Sequence, residues 1–274
     1  MDGARLLDVV VFELIPLKGV VDQVRILPPK TPVSITASPV KGIDATVDLA
    51  VELRDLGYAV TPHLSARMIE DRAQLVRVVR RLTEAGVNDV LVVGGDAIEH
   101  GKFRDAAELL REMEDIGHQF TEVGITGYPE GHPFIAGDSL RAAMLEKHHY
   151  ATYITTQMCF DTDAIAAWIK GTRSDGVKLP IMIGIPGVVE PLRLARVATR
   201  IGVGTSIRYL RKNRRALLRM LRPGAYKPNR LLRELGGLDR GLGIVGVHLF
   251  TFNQVVPTWR WYEKAHGETK RSRR

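Results

Sequence analysis

Leu91-Val92-Val93-Gly94-Gly95-Asp96-Ala97 is the stretch that decides the fold. The apolar run that leads into it, residues 90–93, is too short for a helix and is typical of a strand buried in a parallel sheet. Two glycines then allow a sharp turn, and a carboxylate, Asp96, follows directly. In α/β folds the carboxyl ends of the strands carry the chemistry, so this stretch predicts both a fold class and a site.

The same layout recurs along the chain as an apolar strand, a polar residue near its end, and an amphipathic helix. Glu13, His63 and Gln157 stand near the ends of three other apolar runs. We predict strands at 9–14, 33–37, 58–64, 90–93, 121–126, 153–160, 181–185 and 244–250. We predict helices at 44–56, 71–85, 104–116, 140–149, 161–172, in two or three pieces over 191–235, and at 257–265.

Eight such alternations predict an α/β protein with a closed (β/α)8 TIM barrel. A doubly wound sheet of the dinucleotide-binding kind would need a G-x-G-x-x-G turn, and none follows the first strand. We assign residues 1–266 to a single barrel domain and residues 267–274 to a basic tail.

The basic charge of the chain is unevenly placed. The net charge is +8 over 274 residues, and residues 191–240 hold 14 Lys/Arg but only two acids, Glu234 and Asp239. This segment and the tail 270–274 suit a solvated helix face, a phosphate-bearing cofactor or a polyanionic substrate tail. No nucleic-acid recognition motif accompanies them, so no nucleic-acid partner is expected.

The cysteine count and the hydropathy pattern indicate the cellular compartment in which the protein is expected. Cys159 is the single cysteine, which excludes an intrachain disulfide and a multi-cysteine metal site and fits a reducing cytosol. No apolar run approaches the roughly 20 residues that span a membrane. We therefore expect a cytoplasmic protein without a membrane partner.

Several catalytic motifs are missing from the sequence. There is no P-loop, no G-x-S-x-G elbow and no H-E-x-x-H, and the adjacent His148 and His149 would face different sides of a helix. We therefore predict no metal site. An acid on the first strand, an acid after the fourth and an amide on the sixth suit protonation and hydrogen bonding of a heterocycle.

Short motifs in the chain match a known family in order along nearly the whole barrel. They are Phe12-Glu13 with Pro16, Ser34-Ile35-Thr36, Pro62-His63-Leu64, Gly95-Asp96, Tyr128-Pro129-Glu130-Gly131-His132-Pro133, Thr156-Gln157 with Phe160-Asp161, Ile185-Pro186-Gly187, and His248-Leu249-Phe250-Thr251-Phe252-Asn253. On these motifs the chain resembles the methylenetetrahydrofolate reductases.

The resemblance implies a reduction of 5,10-methylenetetrahydrofolate to 5-methyltetrahydrofolate by hydride transfer, in one-carbon metabolism and methionine biosynthesis. By position, Glu13 would be the general acid that opens the imidazolidine ring, and Asp96 would bind the pterin and face the developing cation. Gln157 would hydrogen-bond the pterin. Phe160 and Asn253 would also contact the substrate, and the implied cofactor-binding residues are Thr36, His63, Tyr128 and His132.

The sequence departs from the family at positions that hold FAD. Gly94 stands where the family has an arginine before Gly-Asp, and Gln254 replaces the arginine after the last motif. In the fifth helix, Lys147 is at best one match to a basic pair. Bidentate arginine contacts to a diphosphate are strong, so their loss should weaken FAD. We therefore favour a flavin-free reductase that uses NADH or NADPH.

Other interpretations stay open at this stage. An FAD-dependent reductase, or a flavoenzyme like the proline dehydrogenases, would share the barrel and its catalytic rim. A folate-binding protein without catalysis is the non-enzyme alternative, and the presence of Glu13, Asp96 and Gln157 argues against it. The sequence does not decide between NADH and NADPH, whether the folate carries a polyglutamate tail, or whether the chain forms a homo-oligomer.

Overall fold

The computed structural model describes residues 5–95, 97, 101–132, 134–188, 228–238 and 240–272. Eight parallel strands close into one barrel in sequence order, which confirms the predicted (β/α)8 fold. The strands are β1 (Val10–Leu14), β2 (Pro32–Ile35), β3 (Ala59–Ser65), β4 (Asp89–Val93), β5 (Glu122–Gly127), β6 (Tyr153–Thr156), β7 (Ile181–Pro186) and β8 (Ile244–Phe250).

Helices surround the barrel. They are α1 (Val20–Val24), α2 (Gly42–Asp55), α3 (Arg72–Glu84), α4 (Ala106–Asp115), α5 (Gly137–Lys147), α6 (Thr162–Ser174), α7 (Asn229–Gly236) and α8 (Val255–Ser272). Short 3-10 turns occupy Arg5–Asp8, Ala66–Met68, His148–Tyr150 and Arg240–Leu242.

Local sequence signals set the ends of these helices. The Asp71, Asp105 and Asp161 carboxylates accept hydrogen bonds from backbone N–H groups in the first turns of α3, α4 and α6. Each of these caps satisfies N–H groups that have no partner within the helix. Gly57 follows α2 with a φ of 88°, a left-handed conformation that a residue with a Cβ adopts only with strain.

The hydrophobic core lies between the sheet and the helices, and the inward strand faces form the barrel interior. On β1, Phe12 points outward and packs against Trp259 and Tyr262 of α8, with ring centroids 5.8 and 5.7 Å away. Glu13, the next residue, therefore points into the barrel. Val11 lies opposite His248 in the β1–β8 register, which sets the inward residues of the first and last strands side by side.

Several predicted boundaries shift by a few residues, α1 was not predicted, and two boundaries differ most from the structure. β6 ends at Thr156 rather than at 160, because the Thr156 hydroxyl accepts from the Gly184 N–H and the Cys159 N–H donates to the Gly184 carbonyl. These contacts bend the chain across the end of β7. The last helix continues to Ser272, past the predicted end at 265.

Some predictions fall outside the described residues. The predicted basic helices lie there over residues 191–227, and so does Asp96; only α7 represents the carboxyl part of the basic segment. The boundary between a barrel domain of residues 1–266 and a tail of 267–274 stays a prediction. Within the described part of the chain, every helix is too short or too polar to span a membrane.

Candidate active site at the carboxyl end of the barrel

A cavity of about 670 Å³ opens at the carboxyl ends of the strands. This volume falls within the range of about 300–1,000 Å³ typical of small-molecule sites. Six of the predicted site residues line it, namely Glu13, Thr36, His63, Tyr128, His132 and Gln157. The topology thus brings together side chains from five strands and their loops, as the position of polar residues after apolar runs indicates.

Glu13 lies in the cavity wall and is hydrogen-bonded across the barrel seam. Its Oε2 is 3.2 Å from Nε2 of His248, and the Ser34 hydroxyl is 3.3 Å from the same nitrogen. All three residues are buried. His248 therefore holds the Glu13 carboxyl group in one orientation, which a proton donor needs in order to reach a substrate atom.

His63 faces the same cluster from β3. Burial, with a smaller contribution from the nearby charge of His248, lowers the pKa of His63 to about 3. The imidazole is therefore neutral at physiological pH. Its Nε2 is buried and has no hydrogen-bond partner within the described part of the protein, which leaves one hydrogen-bonding position of the ring unused.

The cluster also has the composition of a metal site. Single ligand atoms of Glu13, His63 and His248 lie within 4.8 Å of one another. Two imidazoles and a carboxylate are a set that binds divalent transition metals. Motif searches could not reveal this set because its members come from three strands. The predicted absence of a metal site stays a prediction.

The β5 loop and the end of β6 form another part of the wall. The Tyr128 hydroxyl accepts from the Thr126 hydroxyl at 3.3 Å, and the ring of His132 packs edge-on against Tyr128 at 5.2 Å. The Gln157 Oε1 accepts from the Met158 N–H at 2.8 Å. That contact fixes the orientation of the Gln157 amide at the cavity.

Two predicted substrate residues lie elsewhere. In the part of the chain that the structure describes, neither Phe160 nor Asn253 lines the cavity. The Asn253 side chain instead accepts from the Ile15 N–H and donates to the Ile15 carbonyl, both at 2.8 Å. Phe160 is buried behind the end of β6, where its N–H donates to Glu130. Contact of either residue with substrate stays a prediction.

The end of β4 forms the rim next to β3. Gly95 has a φ of 91°, and a Cβ there would lie 1.9 Å from Oγ of Ser65. Only glycine fits this close approach. At Gly94 a Cβ would meet no heavy atom of the described residues within 4 Å, so the missing side chain leaves open space among them. Arg67, which the sequence reasoning missed, lines the cavity here and donates its N–H to the Gly94 carbonyl at 3.1 Å.

Comparison with known proteins agrees with this geometry. The sequence model of the family described as "Methylenetetrahydrofolate reductase" matches residues 24–207, which is more than half of the chain. The chain belongs to the methylenetetrahydrofolate reductase family. The motifs from Ser34-Ile35-Thr36 to Ile185-Pro186-Gly187 lie inside this matched region, whereas Glu13 and His248 lie outside it.

Individual family members are distant relatives. "Methylenetetrahydrofolate reductase 1" of Schizosaccharomyces pombe is 26% identical over 153 residues, which cover 53% of this chain and 24% of that protein. "Methylenetetrahydrofolate reductase 2" of Saccharomyces cerevisiae is 24% identical over 153 residues, covering 52% and 24%. The chain thus spans about a quarter of the length of the curated relatives that it matches.

A solved structure shares the fold over the whole chain. It is an uncharacterized protein from Clostridium thermocellum that binds two copies of 5-methyl-5,6,7,8-tetrahydrofolic acid. The TM-score is 0.63 at 12% sequence identity, and the match covers 96% of this chain and 95% of the other. At that identity the likeness concerns the barrel alone.

Proposed function

We propose that this protein reduces 5,10-methylenetetrahydrofolate to 5-methyltetrahydrofolate, with a hydride that passes directly from NADH or NADPH and without a flavin. Family membership supports the reaction class. The observation that carries the proposal is Glu13, buried in the cavity wall and held by His248 at 3.2 Å. The methyltetrahydrofolate ligands of the Clostridium thermocellum protein support a folate in a barrel of this shape.

Glu13 supplies the proton in the first step. Its carboxyl group protonates a nitrogen of the imidazolidine ring, the carbon–nitrogen bond at that nitrogen breaks, and a 5-iminium cation forms. The hydride then adds to the iminium carbon and gives the methyl group. One proton and one hydride are consumed, and the nicotinamide leaves oxidised, so the step balances without a further reductant.

Other residues bind and orient the reactants. Gln157, with its amide oxygen held by the Met158 N–H, hydrogen-bonds the pterin and fixes which face is presented. Asp96, which lies outside the described residues, is assigned by its position in the family motif to face the cation, where a negative charge would stabilise the transition state more than the ground state. Thr36, His63, Tyr128 and His132 also line the cavity, and we assign them to contact with the nicotinamide.

The described residues give little support for a flavin diphosphate at the family positions. Gly94 has no side chain to offer, Lys147 is buried and donates to the Thr126 carbonyl at 3.3 Å, and Gln254 is buried. Each lost charge-assisted hydrogen bond costs about 1.5–3 kcal/mol of binding free energy. Two such losses weaken a ligand by roughly two to four powers of ten.

The experiment is purification without added flavin, followed by steady-state assays with both substrates varied. Direct transfer needs both substrates bound together, so double-reciprocal lines should intersect and added FAD should leave the rate unchanged. Flavin bound in a one-to-one ratio, or parallel lines, would show that a flavin carries the hydride. The absence of any turnover with both nicotinamides would instead favour a folate-binding protein.

A further inference from the structure

Unsatisfied polar atoms are concentrated at the end of β3. Among the described residues, five buried side-chain nitrogen or oxygen atoms have no hydrogen-bond partner, and three of them are His63 Nε2, Ser65 Oγ and Arg67 Nε. All three residues line the cavity. A buried polar atom without a partner costs about 1–3 kcal/mol, so three at one strand end indicate a surface built for a ligand.

Arg67 is the member of this group with charge. It lies in the 3-10 turn that follows β3 and is half-buried, and the structure gives its guanidinium no carboxylate partner among the described residues. Its Nε is the enclosed atom. Because that atom is out of reach, an oxyanion that enters the cavity meets the two Nη–H groups, a fork with which arginine binds phosphate and carboxylate.

The surroundings leave room for such an anion. Arg67 is the only Lys or Arg among the described residues of the cavity lining, and Glu13 is the only carboxylate among them. The neighbouring β4 end presents Gly94, where a Cβ would meet no atom of the described part of the chain within 4 Å. The backbone bond from the Arg67 N–H to the Gly94 carbonyl holds the turn against this open space.

We propose that Arg67, assisted by the Ser65 hydroxyl, is an oxyanion-binding site in the cavity wall, and that it takes the diphosphate of the dinucleotide that donates the hydride. The glutamate carboxylates of a folate offer the same chemistry. The naming of the dinucleotide rests on the proposed function, whereas the anion site itself rests only on the geometry.

The test measures binding rather than turnover. Dissociation constants for ADP-ribose, NADH and 5-methyltetrahydrofolate are determined by calorimetry for the wild type and for Arg67→Met, which keeps the unbranched stem. We expect ADP-ribose and NADH to bind about 10- to 100-fold more weakly to Arg67→Met, because one charge-assisted contact is lost. Arg67→Lys keeps the positive charge but loses the paired N–H donors of the planar guanidinium, so it should recover only part of the affinity.

Two further comparisons separate the sources of the anion. If only 5-methyltetrahydrofolate loses affinity, and 5-methyltetrahydropteroate without its glutamate does not, the anion is the folate tail and the dinucleotide assignment is wrong. Arg77→Met, on the exposed face of α3, is the matched control and should change nothing. Ser65→Ala should weaken the same ligand as Arg67→Met by a smaller factor.

Unchanged affinity of Arg67→Met for all of these ligands would overturn the anion site. A melting temperature equal to that of the wild type shows that the variant is folded, and is expected because the guanidinium holds no described carboxylate. A protein that binds ADP-ribose through Arg67 but turns over no folate would contradict the proposed reaction and leave the anion site standing.

Discussion

The strand β3 contributes to two polar clusters, one at each end of the barrel. The polar groups are paired with one another in the first cluster, whereas the second contains buried atoms without a partner. At the amino end of the barrel, Thr61 donates to Asp89 at 2.6 Å, and Tyr153 donates to the other Asp89 oxygen at 2.9 Å. At the carboxyl end, His63 and Ser65 lie on the same face of the strand and have no described partner for a buried atom.

This difference separates a structural role from a binding role. A closed polar cluster contributes to stability because each group has its partner within the protein. An open one contributes to binding because the ligand completes it. Changes at the carboxyl end should therefore alter rate or affinity at nearly constant stability, and changes at the amino end should do the reverse.

The largest expected effect is at the carboxyl end. Glu13→Gln keeps the shape and the contact with His248 but removes the donated proton, so kcat should fall by about 10²- to 10⁴-fold with little change in folate KM. Steady-state kinetics of the purified variant measure this. Glu122→Gln, on β5 at the amino end, is the control. Near-normal turnover of Glu13→Gln would remove Glu13 from the mechanism.

The next effect concerns the pH dependence of stability at the amino end. Burial raises the pKa of Asp89 to about 6 from its ordinary value of 3.8, against the opposing effect of the hydrogen bonds from Thr61 and Tyr153. Well below the ordinary pKa of 3.8 the carboxyl group is protonated in both the folded and the unfolded chain. Between about pH 4 and 6 the unfolded chain loses this proton first, so the free energy of unfolding falls as pH rises.

Asp89→Asn should remove that slope. The amide cannot ionise, so the Asp89 contribution to the fall, on the order of 2–3 kcal/mol, should disappear from urea titrations at pH 4 and pH 7. The variant should keep its kcat because Asp89 does not line the cavity in the described part of the protein. A slope equal to that of the wild type would assign the pH dependence to another group.

A smaller effect should follow from removing the partner of Glu13. His248→Gln keeps a hydrogen-bonding side chain but changes its reach, and misplacement of a catalytic group by about 1 Å can cost up to about 100-fold in rate. We expect a fall in kcat of about 10- to 100-fold with folate KM nearly unchanged. A rise in folate KM of the same size, with kcat unchanged, would show that His248 binds substrate and does not position Glu13.

The smallest effect is expected for Tyr153→Phe. The substitution keeps the ring against Gly124 and removes only the bond to Asp89, so the free energy of unfolding should fall by about 1 kcal/mol. Chemical denaturation measures this loss, and kcat serves as the internal control. A fall in kcat without a loss of stability would show that the amino end of the barrel contributes to turnover, which contradicts the separate roles of the two ends.

Much of the site could be predicted from the sequence. Apolar runs followed by polar residues placed Glu13, His63 and Gln157 at one end of the barrel, because parallel strands share their direction. Such a pattern does not predict which of these side chains contact one another. Glu13 and His248 are 235 residues apart and meet only through the β1–β8 register. Arg67 was missed for another reason, since it lies in a turn beyond a strand whose predicted end was Leu64.

The β1–β8 seam also determines when the protein can become active during its synthesis. Glu13 leaves the ribosome 235 residues before His248, which belongs to the last strand of the barrel. The Thr251 hydroxyl and the Asn253 side chain bind the backbone of Glu13 and Ile15 across the same seam. A nascent chain without β8 therefore has an exposed acid with no histidine to orient it. Completion of the barrel and completion of the Glu13–His248 pair are therefore one event, and under the proposed function we expect chains that lack β8 to be inactive.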